Sequence, residues 1–139
     1  MQIFSEDLNS FLTIEVLGIE PLPFLPSLYL NVEVNDEGFC GFNEIYVETD
    51  NLKKFVSDLQ TCEQTRHGMA RLVSYDELEL TVESVDGWGH FALKYKISKF
   101  VYPHSSRVAR TKLVSGWLDL DSSLFRQVVS DFADLLPES

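Results

Sequence analysis

Histidine and cysteine are scarce in this chain: three histidines (His67, His90 and His104) and two cysteines (Cys40 and Cys62) stand among 139 residues. None of the histidines falls in HExxH, HxH or a comparable ligand spacing, and the cysteines form no CxxC pair, so no metal site is expected. Both thiols are expected to be reduced, at least one of them buried as a small hydrophobe. A GxSxG elbow, a Walker loop and a GxGxxG turn are also missing. The sequence therefore points to no catalytic residue and no cofactor. No apolar run approaches the ~20 residues of a membrane helix. The N-terminal MQIFSEDLNSF carries acids and no base, which argues against a secretory signal and makes the cytoplasm the expected compartment.

Basic residues are the other shortage. Against 22 Asp and Glu there are 11 Lys and Arg, for a formal net charge of -11. The imbalance is uneven: residues 1–63 hold 12 acids and 2 bases, residues 64–118 hold 5 acids and 8 bases, and residues 119–139 hold 5 acids and 1 base. Such a field repels nucleic-acid phosphates and anionic membrane, and it speeds encounter with a basic partner.

What is present is enough for a core. A hydrophobic share of 45% with 24% charged residues marks a folded domain rather than a disordered chain, and the length suits one domain over 1–139. Leu12, Ile14 and Val16 alternate with polar residues until Gly18 breaks the run. The segment EPLPFLP, with Pro21, Pro23 and Pro26, reads as an irregular apolar loop. Leu28, Leu30, Val32 and Val34 form the cleanest strand, Asn35-Asp36-Glu37-Gly38 supplies hairpin chemistry, and Phe39 to Val47 returns beside it. Thr49 or Asp50 is the expected cap of a helix carrying Leu52, Phe55, Val56 and Leu59 inward and fraying near Cys62. MARLVS, Leu78–Val82, Phe91–Ile97 and Leu113–Leu120 follow as strands. After Asp121, Ser122 and Ser123, the positions Leu124, Phe125, Val128, Val129, Phe132, Leu135 and Leu136 predict a C-terminal helix ended by Pro137. Connections this short favour an α+β fold with a mainly antiparallel sheet of about six or seven strands and two helices, one between strands and one C-terminal.

The most site-like stretch is Asp86-Gly87-Trp88-Gly89-His90-Phe91. Its flanks are two amphipathic strands, so it reads as a hairpin bend, with cross-strand pairs between the glutamates of one strand and the lysines of the other. His90 is then an exposed turn histidine. His67 and His104 lie in loops. The acids of Asp76–Glu83 read as a solvated sheet face, and Ser105-Ser106 beside Arg107 and Arg110 as a solvated loop. Trp117 is assigned to packing. Trp88 is held for a partner.

The segments LYLNVEVND, TDNLKKFVSDL, ELELTVES, DGWGHFALKYKIS and VSGWLDLDSSLFRQVVSDFADLL together resemble a bacterial family of small acidic proteins that includes immunity proteins of wall-associated tRNA-nuclease toxins. The resemblance implies a non-enzymatic protein that blocks a basic toxin domain by charge and shape complementarity; the negative charge disfavours direct binding to nucleic acid or membrane. Glu33, Asp36, Glu37, Glu44 and Glu48, with Trp88, are the candidate partner contacts. The alternatives are a small-molecule-binding domain or enzyme with a pocket between sheet and helices, and a structural subunit of an assembly.

Overall fold

The computed structural model describes residues 1–20, 25–101 and 110–137. Along the chain come β1 (Gln2–Phe4), β2 (Ser10–Glu20), β3 (Ser27–Asp36), β4 (Phe39–Glu48), α1 (Thr49–Thr65), β5 (Met69–Ser74), β6 (Leu78–Ser84), β7 (Phe91–Val101), β8 (Arg110–Asp119) and α2 (Phe125–Asp134). All strand pairings are antiparallel. They make two four-stranded sheets, sheet A in the order β1-β2-β3-β4 and sheet B in the order β5-β6-β7-β8. The fold is therefore α+β with one helix between strands and one at the C-terminal end. The strand beyond the expected number is β1, whose three residues are too few to show a period.

Alternation builds both sheets. Leu28, Leu30, Val32 and Val34 of β3 turn inward with Leu12 and Ile14 of β2 and Ile45 and Val47 of β4. Leu72, Leu80, Leu93, Tyr95 and Leu118 are buried on the inner face of sheet B. Glu37 and Gly38 both adopt positive φ, 51° and 92°, as a two-residue turn matched to strand twist requires.

The two inner faces meet through β4. Gly41 lies against Val114 of β8, Asn43 Nδ2 donates to the Ser98 carbonyl of β7 at 2.8 Å, and the Tyr46 carbonyl accepts from Ser74 Oγ of β5. Successive residues of one strand thus meet β8, β7 and β5 in turn. β4 runs across the strands of sheet B rather than along them, the orthogonal mode of sheet packing. The helices join the same core: Phe55 of α1 meets Phe132 of α2 edge-on at 5.0 Å, and Phe125 stacks on Phe91 of β7 at 4.3 Å.

Several local expectations are corrected. Gly18 does not end β2; the register shifts between Val16 and Gly18 and the strand continues to Glu20, leaving Val16 41% exposed instead of buried. Neither Thr49 nor Asp50 caps α1. Glu48 is the N-cap with no side-chain bond, and the Thr49 N–H is satisfied by the Pro26 carbonyl at 2.8 Å. The helix also runs past Cys62 to Thr65, because Arg66 takes the left-handed conformation (φ 56°) and its N–H returns to the Cys62 carbonyl. Leu124 precedes α2 and is exposed, so the apolar stripe starts at Phe125. Pro21, Pro23, His104, Ser105, Ser106 and Arg107 lie outside the described residues.

Candidate functional site

The outward parity of sheet A gathers the first set of candidates. Glu33 lies across from Phe42 and Thr13, Glu44 is aligned through Asn31 with Glu15, and Glu48 pairs with Ser27. Glu15, Glu33 and Glu44 are exposed and Glu48 half-buried. Tyr29 and Tyr46 stack beside them at 4.6 Å, and the Tyr29 hydroxyl donates to Glu44 Oε2 at 2.5 Å. That bond, with burial and the carboxylate charge adding to it, pushes the Tyr29 hydroxyl up to about 12. The first Lys in the chain is Lys53, so β1–β4 contain no base at all. From the neighbouring sheet, Lys99 stands over the Phe42 ring at 4.8 Å.

Asp36 does not belong to that face. It shares the parity of Val32 and Val34 and points inward, accepting from Ser10 Oγ at 2.8 Å and from the Tyr95 hydroxyl at 2.5 Å. Burial, and then the Asp36 bond, hold the Tyr95 hydroxyl well above its usual value. The pair joins sheet A to sheet B. Glu37, at the tip of the same turn, overlooks a cleft of 580 Å³ between the turn and β8, lined also by Asp7, Phe39, Tyr95, Trp117 and Asp119. A hollow of 400 Å³ lies farther along β8, by Phe42, Lys99, Lys112 and Leu113.

Trp88 sits elsewhere, at the tip of the β6–β7 hairpin, and is 86% exposed. Asp86 organises that tip: Oδ1 accepts the Trp88 N–H at 2.7 Å and Oδ2 meets His90 Nδ1 at 2.5 Å. The His90 bond, with the Trp88 N–H next, lowers the Asp86 carboxyl below its ordinary value. The same bond to Asp86 raises the His90 imidazole. DGWGHF is thus a turn held by its own aspartate, closed by the Val85 N–H to the His90 carbonyl. His67 is exposed as well. Among the described residues no group of three or more His, Cys, Asp or Glu side chains converges on a common point.

Two further expectations need amending. Trp117 is not a packing residue. Leu118 takes the inner face and leaves Trp117 63% exposed on the outer one. Of the expected glutamate–lysine pairs, Glu83 meets Lys94, while Glu79 turns to Arg71 of β5 at 2.9 Å. Both pairs lie at the surface, with exposed bases and half-buried acids, and contribute a few tenths of a kcal/mol each, to order of magnitude.

Among the described residues, no helix is long and apolar enough to cross a membrane. No protein-family model matches the chain, and no curated protein or solved structure matches it either.

Proposed function

We propose that this chain is a binding protein whose partner is a basic protein surface docked on the outer face of sheet A. The observation that carries this reading is the alignment of Glu15, Glu33, Glu44 and Glu48 on one sheet face drawn from a stretch without a single Lys or Arg. The stacked Tyr29–Tyr46 pair and exposed Phe42 supply the apolar contact that fixes a charged encounter into a specific complex. Surface charge of one sign raises the association rate by one to three orders of magnitude at low salt. Interfaces of this kind suit an inhibitor that must reach its target quickly. The resemblance of its segments to immunity proteins fits the same reading: a nuclease that binds tRNA presents a basic surface, and an acidic protein covering it in the cytoplasm would block substrate entry.

The test is the quadruple variant Glu15→Lys/Glu33→Lys/Glu44→Lys/Glu48→Lys, compared with the wild-type protein in pull-downs from the native host at low and moderate salt. A basic protein retained by the wild type and lost by the variant supports the assignment. The association rate of that complex should fall at least about tenfold in the variant. Retention of the same protein by both forms, or no protein retained at either salt, overturns it.

A further inference from the structure

Among the described residues β8 is the outermost strand of sheet B, and its outer edge is chemically defined. The Leu120 N–H bonds to the Phe91 carbonyl, while the Asp119 carbonyl accepts the Glu6 N–H at 2.7 Å from the other side. In an antiparallel ladder bonded residues alternate, so the backbone groups of Leu113, Ser115 and Trp117, like those of Asp119, point away from β7. Among the described residues none of the three has a hydrogen-bond partner on that side.

Natural sheets blunt such an edge with lysine, proline, bulges or a covering loop. Arg110 and Lys112 guard the first half of β8. The second half carries Leu113 and Trp117, both exposed, with neither a proline nor a bulge. Beside it lies the 580 Å³ cleft, floored by Tyr95 and walled by the Glu37 turn and Asp7, and among the described residues no Lys, Arg or His lines it.

We infer that the edge of β8 at Leu113–Trp117 is a strand-addition site for an extended segment of a partner protein with alternating basic and apolar side chains. The segment's backbone completes the outward bonds of Leu113, Ser115 and Trp117. Its apolar side chains pack on Leu113 and Trp117 on the outer face, and its basic ones enter the cleft towards Glu37 and Asp7. Charge selects a basic strand over an acidic one, and main-chain pairing selects an extended one over a helix. At Leu113 the site borders the outer face of sheet A, through the hollow that also takes in Glu33 and Phe42, but it does not rest on that assignment.

The probe is a short fluorescein-labelled peptide of alternating valine and lysine, followed by anisotropy and by amide hydrogen exchange of the protein. The expected result is saturable binding, with slowed exchange at Leu113, Ser115 and Trp117. Ser115→Pro removes one outward donor without touching the β7 ladder, and should weaken binding about tenfold. N-methylation of alternate peptide bonds should do the same. If Ser115→Pro does not fold, Glu37→Lys takes its place, and it should weaken the lysine peptide while sparing an all-valine one. Absence of binding, equal binding of a valine–glutamate peptide, or unchanged affinity in the variants overturns the inference. So does competition by free spermidine with no amide protection, which would make the cleft a small-cation site. Protection of the same amides by protein concentration alone would make the occupant a second copy of this chain, and would equally overturn it.

Discussion

Replacing Gly116 by alanine adds one methyl group where β8 passes over Tyr95. A Cβ there would stand 2.5 Å from the Tyr95 hydroxyl, 2.9 Å from its Cζ and 3.0 Å from Asp36 Oδ2. Comfortable contacts lie near 3.5–4.0 Å, so neighbours must give by roughly 0.5–1 Å. Tyr95 cannot simply swing aside, because its ring is buried and its hydroxyl is held by Asp36. Overpacking of a core costs about 1–3 kcal/mol. Losing a hydrogen bond to a carboxylate adds about 1.5–3 kcal/mol. The expected destabilisation is therefore about 2.5–6 kcal/mol, and at about 4 °C per kcal/mol for a chain of this size Tm falls by about 10–24 °C. Urea and thermal unfolding by circular dichroism, on wild type, Gly116→Ala, Tyr95→Phe and the double variant, measure it. Tyr95→Phe deletes the atom closest to the new methyl, so the double variant should be about 1–2 kcal/mol less damaged than the sum of the singles. A loss below about 1 kcal/mol for Gly116→Ala, or strict additivity, would refute the close approach.

The hairpin tip makes a pH prediction. His90 is raised by the Asp86 bond, so its stabilising effect is complete below its ordinary value of 6.5 and disappears as pH climbs through the higher folded value. Asp86 is lowered, so its share is present above 3.8 and disappears as pH falls through the lower folded value. An NMR titration should place the His90 imidazole above 6.5 and, in Asp86→Asn, back near it; an unchanged titration would remove the ion pair as the cause. The cysteines should separate cleanly. Cys40 is exposed, whereas Cys62 is buried and its thiol is pushed up by desolvation. A thiol reagent should therefore modify one site quickly in the native protein and the second only on unfolding, and Cys40→Ser should be inert when folded. Two thiols reacting at one rate would contradict this placement.

The parts of the fold that were legible in the sequence are those where one face is wet and the other dry. Leu28–Val34, Leu78–Val82 and Phe91–Ile97 show their strand period because water sits on one side of each. The cause of a glycine is harder to read. Gly41 and Gly116 look like local weaknesses, but both answer to side chains far along the chain, Val114 and Tyr95, that leave no room for a Cβ. Asp36 likewise reads as turn chemistry, since nothing in Asn35–Gly38 announces a hydroxyl 59 residues away. Parity placed Trp117 and Leu118 on opposite faces of β8. It could not tell which face was inside. Glu33, Glu44 and Glu48 were visible as acids; that Glu15 joins them depends on a register across three strands.

In each sheet every strand is paired only with its neighbours in sequence. Each sheet can therefore close by short loops alone, at small entropic cost. What remains is the seating of one meander on the other, secured by Tyr95 on Asp36, Asn43 on Ser98 and Ser74 on Tyr46, with sequence separations of 59, 55 and 28. A cut between His67 and Gly68 would leave each fragment owning all of its ladder bonds. Joining the two sheets is thus akin to a recognition event between two halves, with α1 acting as the tether that keeps their effective concentration high.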